Sequence, residues 1–165
     1  MTRIVLSMLI TLLTIPNPAR AADTPASTAS TATARTEVQA FVKSYVDAVN
    51  KADVSAAMEM ISRKAGVTSI GDGEIARGWD AIRTDYDQIV GKEGSYKFSI
   101  GSIDVTPLGT SYALVVAPYT LTVATQQGDF QLPSAMTLVL LKSGKTWVIL
   151  HEHMSSKAAG QEEGD

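Results

Sequence analysis

Two histidines, His151 and His153, are the only imidazoles in the chain, and they stand two residues apart in the run Lys145-Thr-Trp-Val-Ile-Leu-His-Glu-His-Met-Ser155. The run reads as a strand, and side chains alternate faces along a strand. Trp147, Ile149, His151 and His153 then share one face, and Val148, Leu150, Glu152 and Met154 take the other. A neutral imidazole can act as a base near pH 7 and a protonated one as an acid. The pair therefore admits three readings. The rings shape a pocket wall and are satisfied by backbone or tyrosine partners, or one of them moves protons, or both ligate a metal. Zinc needs three or four protein ligands. The chain has 2 histidines and no cysteine, Glu152 is expected to point the opposite way, and no third ligand suggests itself. No metal and no cofactor are assigned.

The remaining polar candidates are few. Tyr119 shares the phase of Ala117 and Leu121, so its hydroxyl is a candidate donor beside the histidines. Trp79, Tyr86, Tyr119 and Trp147 read as core or as pocket lining, and a buried tyrosine hydroxyl would want a partner. A pocket carboxylate is harder to name. Asp104 falls in the phase opposite Ile103 and Val105, and Asp72 sits between two glycines in a turn.

These residues need elements to hold them. Val38, Phe41, Val42, Tyr45, Val46 and Val49 repeat at helical spacing, and Thr36-Glu-Val-Gln39 has the form of a capping box in front of them. Asp53 can cap a second helix that carries Val54, Ala57, Met58 and Ile61. A short strand over 64–70 and a turn around Asp72 lead to a third helix marked by Trp79, Ile82, Tyr86, Ile89 and Val90. Four strands follow. Apolar positions slip phase at Gly101-Ser102, as at a β-bulge. Pro118 lies inside a long strand and implies an edge or a bulge there. Ser143-Gly144 closes a tight hairpin into the last strand. Helices set against a bent antiparallel meander make an α+β domain.

The 165 residues are 45% hydrophobic and 19% charged, as in one soluble globular domain. A formal charge of −3 gives no electrostatic case for nucleic acid or an anionic membrane. Arg3, the apolar run from Ile4 to Ile15, and Ala19-Arg20-Ala21 have the form of a secretory signal with cleavage near Ala21. That run is shorter than the ~20 residues that span a bilayer. The mature protein is then periplasmic or secreted, with no membrane attachment after cleavage, and its fold must manage without disulfides. Residues 22–35 are rich in Ala, Thr and Ser and read as a flexible leader. The folded domain is expected over 36–156, with a disordered tail over 157–165.

The two opening helices, the segment Gly78-Trp-Asp-Ala-Ile82 and the ending Trp147-Val-Ile-Leu-His-Glu-His-Met-Ser155 together resemble the SnoaL-like domains of the nuclear-transport-factor-2-like superfamily. The resemblance covers about Glu37 to Ser156. It implies a strongly curved sheet wrapped like a cone around three helices, an apolar pocket inside, and an outer sheet face on which two protomers commonly pair. Strands apolar on both faces fit that arrangement, so a homodimer through the outer face is expected. The superfamily contains isomerases, cyclases and dehydratases, and also domains without chemistry. The leading expectation is a domain that binds a small, largely apolar molecule in the cone, through a pocket of Trp79, Tyr86, Tyr119, Trp147, Ile149, His151 and His153. The alternatives are an isomerase-, dehydratase- or cyclase-type enzyme using His151 or His153 as acid/base with Tyr119 as donor, and a structural dimerisation module.

Overall fold

Alternating helical and extended segments resolve, in the computed structural model, into three helices and a 7-stranded sheet; residues 28–71, 73–90 and 96–157 are described. The segment read as a secretory signal, the start of the expected leader, Asp72, and residues 91–95 and 158–165 lie outside the described residues.

Helix α1 runs Thr28–Asn50, well ahead of the expected cap at Thr36. The Ala/Thr/Ser segment read as a flexible leader is therefore helical from Thr28. Alanine is the strongest helix former, and Ala34 packs against the core, which supplies burial that periodicity alone did not reveal. The capping box does not form. Thr36 Oγ1 donates to the Ala32 carbonyl inside the helix (3.2 Å), and Gln39 Nε2 donates instead to the carbonyl of Ile103 (3.0 Å). Val38, Val42 and Tyr45 are at most 1% exposed, so the apolar face is the buried one.

Helix α2 is Val54–Glu59, and Asp53 caps it by accepting from the Ala56 amide at 2.9 Å. Strands β1 (Thr68–Gly71) and β2 (Glu74–Arg77) form a hairpin ahead of helix α3 (Trp79–Ile89). Strands β3 (Tyr96–Ile100), β4 (Asp104–Leu108), β5 (Tyr112–Val123), β6 (Phe130–Ser143) and β7 (Thr146–Ser156) complete the sheet. Its order is β2-β1-β7-β6-β5-β3, with β4 also on β5. The pairings are antiparallel except one. Strand β1 lies parallel to β7, with Thr68 opposite His151. The sheet is thus mixed, because the chain reaches β1 from α2 and must run alongside β7 before turning into β2.

Two local devices bend the sheet. At the first, β3 and β4 both pair with β5 but part around Gly101, where the apolar phase slips as the sequence suggests. Pro118 of β5 sits opposite that gap. Its carbonyl accepts from the Gly101 amide at 2.9 Å, and its nitrogen, which has no proton to donate, faces the same gap. A Cβ on Gly101 would stand 3.2 Å from both Pro118 Cγ and the Pro118 carbonyl oxygen, so the close approach favours glycine.

The second device is in β7. Leu140 of β6 pairs with Ile149, and Val139 pairs with His151, so Leu150 is an extra residue with no partner in β6. Where the ladder slips, Ile149 turns to the link after α2. Its amide donates to the Met60 carbonyl, and its carbonyl accepts from the Ser62 amide, both at 2.8 Å. Past that point β1 takes over as neighbour.

The core lies between the concave sheet face and the helices. Val115, Ala117, Leu138, Leu140 and Ile149 are fully buried against α1 and α2. The convex face is also apolar. Leu108, Tyr112 and Val116 are exposed there, and Leu114, Val139, Val148 and Leu150 are half-buried.

Candidate functional site

The bulge at Leu150 decides which side chains of β7 look inward. Trp147 and Ile149 are buried, but after the extra residue the inward positions become Glu152 and Met154. Strict alternation would have continued from Ile149 to His151 and His153. Those two residues instead lie on the convex side. His151 is half-buried, and its Nδ1 shares a 2.7 Å hydrogen bond with Thr68 Oγ1. His153 is exposed, paired between Ile70 of β1 and Thr137 of β6. The imidazoles therefore do not face the hollow, and the expected row of Trp147, Ile149, His151 and His153 is divided between the two sides of the sheet.

What faces the hollow is a carboxylate. Glu152 is 2% exposed. Tyr45, from the apolar face of α1, donates its hydroxyl to Glu152 Oε2 at 2.7 Å. Tyr86, from α3, reaches Oε1 and Oε2 at 3.0 Å each. The two hydroxyls also contact one another. Each tyrosine sits at a helical position otherwise occupied by aliphatic residues, so the same periodicity that buries Val42 and Ile82 brings in the phenols. A charge here is tolerable because phenol donors satisfy it. Burial first, and then the neighbouring Glu152 charge, hold both phenols well above the ordinary tyrosine range.

The cluster closes the inner end of a cavity of about 320 Å³. Val49, Phe98, Leu121 and Met154 give it apolar walls, and the exposed Glu74, Asp85 and Gln88 stand at its mouth. Phe98 stacks on Tyr119 with ring centroids 5.3 Å apart.

Of the residues singled out from sequence, Tyr86 and Tyr119 line this cavity, while Trp79, Trp147, Ile149, His151 and His153 do not. Trp79 donates to the Met58 carbonyl at 3.2 Å and carries the Arg63 guanidinium over its ring. Trp147 donates to Glu37 Oε2 at 3.2 Å, and Lys142 reaches the same oxygen at 2.9 Å. Both indoles are thus tied to structural partners. Asp104 is exposed, as its phase implied. Sequence reasoning missed Glu152 and Tyr45. A cue for Glu152 was present: inward apolar positions are odd-numbered at Trp147 and Ile149 but even-numbered at Met154. That is a phase slip of the same kind as at Gly101.

A curved mixed sheet folded over three helices, with a hollow between them, defines the cone-shaped α+β class. The chain belongs to the SnoaL-like domain family, whose profile matches residues 38–159. A comparison with curated proteins found no match. Among solved structures, a nuclear transport factor 2-like superfamily protein from Salmonella enterica serovar Typhimurium is 21% identical, with a TM-score of 0.69 over 82% of this chain and 99% of that one. A candidate dehydratase of the nuclear transport factor 2-like family from Streptomyces avermitilis is 15% identical, with a TM-score of 0.69 over 78% of this chain and 99% of that one. A protein with a cystatin-like fold from Caulobacter vibrioides is 18% identical, with a TM-score of 0.65 over 76% and 90%. At these identities the likeness is one of fold.

Proposed function

We propose that the domain binds a small, largely apolar molecule in the cone, with the molecule's polar group set against Glu152, Tyr45 and Tyr86. The observation that supports this is a cavity of about 320 Å³ with apolar walls that ends on a buried, hydrogen-bonded carboxylate. Ligand sites are commonly of this kind: concave, mostly apolar, with a few convergent polar groups that fix orientation. A guest of about ten heavy atoms fits the volume. At modest efficiency per atom its dissociation constant is on the order of 0.1 mM.

Titration calorimetry with naphthol tests the reading. Binding in that range is expected, and Leu121→Trp, which fills the wall, should abolish it while leaving the circular dichroism spectrum unchanged. Equal binding by the filled variant would place the probe elsewhere and end the proposal.

A second reading has its own support. A carboxylate flanked by two phenols is the equipment of an isomerase- or dehydratase-type catalyst, with Glu152 taking a proton and a tyrosine donating to the oxygen that gains charge. The histidines, outside the hollow, take no part in it. In a screen of enolisable and dehydratable substrates, Glu152→Gln should cost a catalyst at least ~100-fold in turnover. Turnover that survives the substitution would remove Glu152 from the chemistry, and no turnover by the unaltered protein would leave only binding.

A further inference from the structure

Among the described residues, the ionisable carboxyl groups of the cavity stand without a basic partner in its wall. Glu152 lies at its inner end and Glu74 and Asp85 at its mouth, while no Lys, Arg or His contributes to the wall among the described residues. Two arginines of the helical side are engaged elsewhere. Arg83 of α3 is paired with Asp87 at 3.0 Å, and Arg63 lies over the Trp79 ring at 3.8 Å. Tyr45 and Tyr86 satisfy the Glu152 oxygens as donors, but a neutral phenol does not cancel a negative charge. The walls add five aromatic side chains, Tyr45, Tyr86, Tyr96, Phe98 and Tyr119. Aromatic faces attract cations through the ring quadrupole, and most strongly where water is excluded. A metal ion is the wrong cation for this place. Among the described residues no three of His, Cys, Asp and Glu come together as ligands, and most of the wall is hydrocarbon.

Resting on the proposal that the cone binds a small molecule, we infer that its guest is an organic cation: an ammonium group carried on a small apolar body. The ammonium supplies a positive charge that the described wall residues lack, its body takes the aromatic and aliphatic lining, and the acids at the mouth draw it in. An anionic guest of the same shape meets carboxylates at both ends of the cavity. A neutral guest gains the apolar contacts but none of the charge complementarity.

Three probes of nearly equal size separate these cases: phenethylamine, phenethyl alcohol and phenylpropionate. Each is titrated into the full chain at pH 7 by calorimetry. The ammonium should bind about tenfold or more tightly than the alcohol, and the carboxylate should not bind measurably. Glu152→Gln should bring the ratio of ammonium to alcohol affinity close to one. Asp85→Asn alters only an exposed side chain, and should lower the ratio about two- to threefold at low salt. It keeps the test decisive if Glu152→Gln does not fold. Equal binding of alcohol and ammonium, or tighter binding of the carboxylate, overturns the assignment of charge and leaves the apolar cavity standing. Failure of all three to bind overturns the cavity reading along with it.

Discussion

Raising the pH through the tyrosine range should unfold the domain, with stability falling by about 2.7 kcal/mol per pH unit once the unfolded phenols begin to ionise. The reason is the pair Tyr45 and Tyr86. Burial, and then the charge of Glu152, raise both folded values well above the ordinary one near 10. In that case the native state keeps two protons that the unfolded chain releases. Their contribution is complete below pH ~10 and is lost as the pH climbs toward the folded values. Each phenol accounts for about 1.4 kcal/mol per pH unit, hence the slope for two. Denaturant midpoints measured from pH ~9 to ~12 give the slope, and the ultraviolet band of tyrosinate shows which rings ionise. The chain has 5 tyrosines. Tyr45 and Tyr86 should stay silent until the fold is lost, and Tyr86→Phe should halve the slope. If all the rings ionise together in a folded protein, the cluster is open to water and the account of the site is wrong.

Ile149→Ala should cost about 3–4 kcal/mol of unfolding free energy. Its side chain is fully buried, at the point where β7 leaves one neighbour and meets another. The backbone bonds to Met60 and Ser62 would survive the change. The loss is that of packed hydrocarbon, plus a void that the convergence of α2, β6 and β7 cannot easily close. His153→Ala, on the exposed side of the same strand, should change stability by less than about 0.5 kcal/mol. Denaturant unfolding of the two variants thus reports the strand's orientation directly. A His153→Ala penalty as large as that of Ile149→Ala would mean that the assigned faces of β7 are reversed.

These two residues also show where sequence reasoning reached and where it stopped. The helices were legible because Val38, Val42, Tyr45 and Val46 repeat at 3.6, a period that one interface enforces over many residues. The bend at Gly101 was legible for a related reason: glycine and a phase change coincide there, and Pro118 marks the strand opposite. The onset of α1 was not. Thr28 to Arg35 shows no apolar stripe, and its helix rests on alanine propensity and on the burial of Ala34, which depends on what lies beside it. The parallel pairing of β1 with β7 was equally hidden, since four residues contain no record of a partner some eighty positions away. In β7 the slip was marked by four consecutive apolar residues, Trp147 to Leu150, and by the parity of Met154, with no glycine to flag it. A strand apolar on both sides tolerates either phase, so periodicity could not choose between them. The site was lost with the phase: Tyr86 and Tyr119 stayed in view as aromatics on apolar faces, but the acid at the end of the cavity they line was assigned to the wrong side.

The unpaired residue at Leu150 acts as a selector. Upstream and downstream of it the strand obeys the same two-residue rhythm, yet the parity of that rhythm differs. From an alternation of imidazole, carboxylate, imidazole, the protein turns the lone acid toward its interior and leaves both bases on the outside. What the hollow can recognise is therefore set by a count of residues along one strand as much as by which residues the strand contains.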